Sequence, residues 1–270
     1  MLAIVRIIIV ILFTILVCVL GCFYCLLTPR NPSHVMRFGR LFGKLSYVFG
    51  ITIISRVPAK AKAKAKAKAK AKAKAKAKAK AKAKAKAKDY GPSIYIGNHQ
   101  NNYDMVTMSN AVQPNTVTVG KKSLVLIPFF GPLYWLAGNI LIDRANRTKA
   151  HNTISQVVQQ IKKRKISVWM FPEGTRSRGR GLLPFKTGAF YAAIAAGVPI
   201  VPVCLSETEG RIKLNRWNNG VVIVEMLPPI DTTKYNRENV RELAEYCHNL
   251  FKAKIAELNQ EVTEIEQKMK

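Results

Sequence analysis

At 270 residues the chain can hold one large domain or two small ones, and its five cysteines imply neither a disulfide framework nor a zinc site. The formal net charge is +29, but an uninterrupted Ala-Lys alternation from Ala59 to Lys88 supplies 15 of the lysines, and +14 remains without it. That alternation has no apolar face at helical or strand period and repels itself, so it builds no core. Its monotony marks residues 59–88 as an artificial-looking linker, with a polybasic membrane tether as the alternative.

The amino terminus is the other exceptional segment. From Ile7 to Leu27 there are 21 residues without a charge, 15 of them Ile, Leu, Val or Phe. That length matches the roughly 20 residues of a spanning helix. A cleaved signal peptide would have a shorter apolar core and a small-residue cleavage site. Arg30, Arg37, Arg40 and Lys44 follow the apolar run, against Arg6 alone before it. The positive-inside bias then puts everything after residue 30 in the cytoplasm. Residues 35–45 space apolar and basic side chains as an interfacial helix does, or as an ordinary domain helix does, so a membrane-dipping helical pair competes with a full span. Residues 1–50 are therefore expected to be membrane-anchoring helices, and 51–58 a lead-in strand.

From Ser93 onward strands alternate with helices. Strands are predicted at 93–97, 116–119, 140–142, 166–171, 198–205 and 221–227. Helices are predicted over 103–112, 148–163, 186–196 and from Glu238 to about Leu258, the last fraying toward Lys270, with short helices between Leu124 and Ala137. The run Ile166 to Phe171 is apolar throughout, as in a strand buried on both faces. The alternation predicts an α/β fold: a central mixed, mainly parallel sheet flanked by helices, with an N-terminal membrane-embedded helical segment.

In such sheets, sites gather at the carboxyl ends of strands. Four chemistry-bearing stretches follow predicted strands: 98–104, 120–122, 143–144 and 172–178. The first places His99 and Asp104 five positions apart, which puts them on different faces of a continuous helix. A turn at Asn98 to Asn102, with Asn101 or Asn102 capping the following helix, would bring them together. The result is either a loop histidine bonded to a capping carboxylate or the base and orienter of a catalytic triad with no protein nucleophile. Lys121, Lys122, Arg144, Arg176, Arg178 and Lys186 suit a phosphate, since arginine grips phosphate oxygens with a planar fork; a solvated basic face fits the same residues. Glu173 within that basic run can anchor an arginine, hold a substrate hydroxyl or make a loop ion pair.

Four blocks occur in order: His99-x4-Asp104; Gly120-Lys121-Lys122-Ser123-Leu124 through Ile127-Pro128-Phe129-Phe130-Gly131; Phe171-Pro172-Glu173-Gly174-Thr175-Arg176-Ser177; and Val198-Pro199-Ile200-Val201-Pro202-Val203. In this the chain resembles the glycerolipid acyltransferase family over residues 1–58 and 89–270, which makes 89–270 the catalytic domain. The Ala-Lys run is the departure from that family. The resemblance implies transfer of a fatty acyl group from an acyl-carrier-protein or coenzyme A thioester to the 2-hydroxyl of lysophosphatidic acid. The product is phosphatidic acid, for phospholipid biosynthesis at the bacterial inner membrane. It implies His99 and Asp104 as the catalytic pair, and Glu173, Gly174, Thr175 and Arg176 as the acceptor-binding turn. Lys121 is a second candidate for the phosphate or the oxyanion. No cofactor, metal or nucleic acid is expected, the acyl thioester being a co-substrate. Rival readings are a related acyltransferase with another acceptor and a non-catalytic, membrane-anchored anion-binding module. An esterase would need a Gly-x-Ser-x-Gly elbow, which is missing.

Overall fold

The computed structural model describes residues 1–57, 91–142 and 150–269. The Ala-Lys run and the Asp143-Arg144 pair singled out above lie outside them. The helices are α1 (Leu2–Leu27), α2 (Ser33–Gly43), α3 (Leu45–Phe49), α4 (Asp104–Thr107), α5 (Phe130–Leu136), α6 (Ala150–Arg164), α7 (Gly188–Ala196) and α8 (Val240–Lys268). The strands are β1 (Thr52–Arg56), β2 (Ile94–Gly97), β3 (Thr116–Lys121), β4 (Ile140–Ile142), β5 (Ser167–Met170), β6 (Ile200–Leu205) and β7 (Val221–Met226).

All seven strands form one sheet in the order β1-β7-β6-β2-β5-β3-β4, parallel except at the β6–β7 pair. This is the expected mixed, mainly parallel sheet. Alternate side chains feed two cores, as the pleat requires. Ile94, Ile96, Val168, Ile200 and Ile223 pack on the side of α6, α7 and α8. Tyr95, Trp169, Val201, Val203 and Val222 face the side of α1, α2 and α3. The central strands are buried on both faces, which is why they read as continuous apolar runs.

Two expectations on helix length are corrected. The helix predicted over 103–112 is one turn of α-helix, α4, followed by a 3-10 turn at Ser109–Ala111. Thr107 and Ser109 donate their hydroxyls to the carbonyls of Tyr103 and Val106, the local competition that discourages a longer helix. In contrast, α8 does not fray after Leu258 but runs to Lys268. Val262 is buried, Glu261 pairs with Arg56, and Glu266 pairs with Arg211 while accepting the Val221 amide, so the last turns are tied to the sheet.

The amino-terminal helix departs from a simple span. It is long and apolar enough to cross a bilayer, and Ile4, Leu12, Leu20, Phe23 and Leu27 are exposed. Yet both of its ends are bonded to the domain. Arg6, which a full span would put across the membrane from the domain, is buried and donates to the carbonyls of Lys213, Leu214, Arg216 and Trp217. The Ala3 amide donates to Asn215 Oδ1, and at the other end the Arg30 amide donates to the Leu136 carbonyl. In between, Gly21 lets α1 lie against α5 and α2, since a Cβ there would come within 2.9 Å of Leu133 and Phe38. Where one helix is expected over 35–45, the chain forms two, α2 and α3: Arg37, Arg40, Lys44 and Tyr47 are exposed while Phe42, Leu45 and Phe49 are buried.

Replacing Arg6 with Met strands four carbonyls without their charged donor, at a cost of about 2–3 kcal/mol. For a chain of this size that is roughly 5–10 °C of thermal midpoint in detergent. An unchanged midpoint would mean the clamp is not made in solution.

Candidate active site

The loop after β2 lies between the ends of its two parallel neighbours, β5 and β6, where the chain leaves the sheet in both directions. Polar side chains bolt that loop to the β6–β7 connection. Asn98 accepts from the Leu205 amide at 2.9 Å and donates to its carbonyl at 3.0 Å. Gln100 donates to the Ser206 carbonyl and accepts from the Thr208 amide; Asn101 donates to Thr208 Oγ1 and Glu209. Asn101 Oδ1 also receives the Tyr103 amide at 2.9 Å, which supplies the turn the spacing required. No side chain caps α4 in the expected way, and its N-cap position is Tyr103.

His99 and Asp104 meet. The imidazole Nδ1 lies 2.6 Å from Asp104 Oδ2, and the Gln100 and Asn101 amides donate to the same oxygen at 2.7 and 3.2 Å. Asp104 is buried, and the histidine side chain keeps 18% exposure. The imidazole stacks on Phe171 at 4.1 Å between centroids and 15° between planes. Nothing in the sequence alone singles out Phe171, Asn98 or Gln100 as site residues. The nearest signal is the place of Phe171 at the end of a buried strand, directly before Pro172-Glu173.

The 172–178 turn sits against this loop, with the Ser177 and Arg178 amides donating to the His99 and Gln100 carbonyls at 2.8 and 3.0 Å. Glu173, expected at the substrate, contacts backbone in this structure. It is buried, one oxygen accepts the His99 amide at 2.6 Å, and the other accepts the Leu183 amide at 3.0 Å. Both oxygens are thus engaged by backbone, and Glu173 is absent from the cavity wall while Gly174, Thr175 and Arg176 line it. Gly174 holds φ +73°, and a Cβ there would press on the Lys186 side chain at 3.0 Å.

The cavity, about 530 Å3, has His99 and Asp104 in its wall. Apolar side chains of α2 (Val35, Phe38, Phe42) and of the α5 region (Phe130, Leu133) line one part, and Lys121, Arg176 and Arg178 another. Arg176 Nε is buried without a hydrogen-bond partner, and no carboxylate among the described residues pairs with Arg176, Arg178 or Lys121. Of the other cations in the expected rim, Lys122 is exposed outside the cavity wall, Lys186 lies over the Gly174 turn, and Arg144 is outside the described residues. Among the described residues, no group of three or more His, Cys, Asp or Glu is placed to hold a metal ion.

Comparison with known proteins gives this arrangement its setting. Residues 78–206 match the family model described as Acyltransferase. The chain is 59% identical over 266 residues, 98% of each chain, to the 1-acyl-sn-glycerol-3-phosphate acyltransferase of Escherichia coli strain K12. It belongs to the acyltransferase family. It is 52% identical over 262 residues to the 1-acyl-sn-glycerol-3-phosphate acyltransferase of Haemophilus influenzae, covering 97% of this chain and 98% of that one. The fold is that of the crystal structure of the 1-acyl-sn-glycerophosphate (LPA) acyltransferase of Thermotoga maritima, with a TM-score of 0.65 at 20% identity, covering 98% of this chain and 95% of that chain.

Electrostatics within this candidate site work against its two carboxylates. Burial pushes the Asp104 carboxyl up from the usual range, opposed by the imidazole and the two amides. Burial likewise raises Glu173, opposed by the His99 and Leu183 amides. A carboxyl raised in the folded state keeps its proton where the unfolded chain has released it. Its contribution to stability is therefore greatest at low pH and falls as pH rises through the folded pKa. Asp104→Asn keeps an acceptor for all three N–H groups and removes the ionisation. We expect the stability of the wild type relative to this variant to decline from acid to neutral pH, while acyl transfer falls at least about a hundredfold. Unfolding midpoints across that range check the sign. Glu173→Gln sets an NH2 against one of the two backbone amides. It should lower kcat for acyl transfer with little change in the acceptor KM; a change in KM alone would restore Glu173 to direct substrate contact.

Proposed function

We propose that this acyltransferase moves a fatty acyl group from an acyl-carrier-protein or coenzyme A thioester to the sn-2 hydroxyl of 1-acyl-sn-glycerol 3-phosphate. The product is phosphatidic acid for phospholipid biosynthesis. One observation carries the reading: the His99–Asp104 pair opens into a cavity with apolar and cationic walls, the two chemistries of a lysophospholipid. The proteins of Escherichia coli and Haemophilus influenzae that it resembles bear the name of that activity.

With Nδ1–H of His99 donating a hydrogen bond to Asp104, the imidazole lone pair lies on Nε2. Nε2 takes the proton of the acceptor hydroxyl as its oxygen attacks the thioester carbon. The tetrahedral intermediate expels the thiolate, which leaves with the proton returned by the imidazolium. No serine or cysteine is needed, because the substrate brings the nucleophile. Asp104 fixes the tautomer and stabilises the imidazolium, and Phe171 and Glu173 hold the ring and its backbone. General-base action of this kind supplies about 10²–10⁴-fold, or roughly 3–5 kcal/mol. Positioning of the acceptor supplies more: Gly174, Thr175 and Arg176 would hold the glycerol phosphate, and Lys121 the phosphate or the oxyanion.

The same reading puts the protein on the bacterial inner membrane with its catalytic domain toward the cytoplasm. The bonds that tie both ends of α1 to that domain support a helix that dips into the bilayer beside it over one that crosses. Lysophospholipid and product then stay in lipid throughout.

A panel of thioester donors and acceptors, assayed on purified protein in lipid, tests the assignment: lysophosphatidic acid should be the preferred acceptor over glycerol 3-phosphate. His99→Ala should lose at least about a hundredfold in rate while still floating with vesicles, and Arg176→Ala should chiefly raise the acceptor KM. Full activity of the His99 variant would remove the general base from the scheme.

A further inference from the structure

The segment between Lys122 and Phe130 carries apolar side chains that neither the cavity nor the core uses. Leu124 lines the cavity, but Val125, Leu126, Ile127 and Phe129 face solvent at 38, 78, 45 and 48% exposure. The backbone is bent to hold them there. After the 3-10 turn Lys122–Leu126, the Phe130 amide bonds back to the Pro128 carbonyl at 2.6 Å, closing a turn in which Phe129 has φ 62° and ψ −48°. That three-residue turn is rare and strained, and costly for a bulky side chain. Gly131 makes room for it, since a Cβ there would stand 2.2 Å from the Val125 carbonyl oxygen.

Two observations name the partner. The first is charge. Of the 15 acidic residues only Asp89 and Asp104 precede Ile142, so the helices α1 to α3 and the whole stretch from Met105 to Ile142 carry no carboxylate. Lys121 and Lys122 lie exposed at the base of the loop. The second is continuity with α1. The short helix α5 packs on the loop through Gly131 and on α1 through Leu133, which approaches Gly21. At its far end Trp135, 45% exposed, lies under the Arg30 guanidinium at 5.6 Å. Exposed apolar residues flanked by Trp and cations are the composition of a membrane interface.

We propose that residues 125–129 are a second membrane-inserting element, seated in the same leaflet as α1, with Lys122 among anionic headgroups. This rests on the reading of α1 as a membrane helix. The residues leading directly into that segment supply Lys121 and Leu124 to the cavity, so the site opens at the lipid surface and an acyl tail reaches it without crossing water.

The full chain, with Cys22 changed to Ser and a fluorophore on Leu126→Cys, is reconstituted into vesicles of phosphatidylethanolamine and phosphatidylglycerol; the other native cysteines are buried. A parallel sample carries the label on α1, at Leu12→Cys. Bromines on the acyl chains should quench both labels more strongly than aqueous iodide. Quenching of position 126 by iodide alone, with position 12 still quenched by bromine, overturns the proposal and leaves the α1 reading intact. Loss of bromine quenching at both positions overturns the two together. Shielding of position 126 from iodide by acyl-carrier protein without lipid assigns the patch to the carrier and also overturns it. Leu126→Ser combined with Phe129→Ser should raise the KM for vesicle-borne acceptor about tenfold and leave a short-chain, water-soluble acceptor unaffected. Equal effects on the two acceptors overturn the proposal.

Discussion

Three N–H groups converge on one oxygen of Asp104, and the form of the site follows from that convergence. The donors are the His99 imidazole and the Gln100 and Asn101 amides. A carboxylate that gathers donors from residues three to five positions earlier cannot sit in a continuous helix with them, so the chain turns, and the imidazole is held at a fixed edge. Burial opposes the charge of Asp104, and the donors oppose the burial. The site therefore spends folding free energy to keep an ionisable group where its partner needs it.

Around this contact, a second layer of polar bonds transmits the position of the strands. Asn98 copies the end of β6 into the loop, and Glu173 couples the ends of β2 and β5 by receiving amides from both sides of the site. In a parallel sheet the strand ends are in register, so loops leaving adjacent strands meet without long excursions. The antiparallel β6–β7 pair brings the 206–209 connection back over the same end, where Gln100 and Asn101 reach it.

The membrane-facing part belongs to the same unit. The inner face of α2 and the flank of α5 wall the cavity, while α1 packs on both and is bonded to the domain near each end. An apolar helix that would be a detachable anchor if joined only by its tail instead helps to shape the site.

Much of this was legible in the amino-acid order. Periodicity located the strands, because a strand buried on both faces must be apolar throughout. The four ordered blocks set the fold family, and His99-x4-Asp104 set which pair to examine. What the sequence left open depended on partners far along the chain. The tasks of Asn98 and Gln100 are defined by backbone groups 105 to 108 positions away, and one of Glu173's two partners lies 74 positions away, while their residue types allow many others. The length of α8 was set by Arg56, Arg211 and the Val221 amide, none of which leaves a mark on the helix's own period. Arg6 shows the limit most clearly. By composition it is a charge beside a membrane span; by tertiary structure it is a buried clamp, because four carbonyls of one distant loop point at it. Local chemistry determined which elements form and which residues can react, while only the packed chain decided which groups meet.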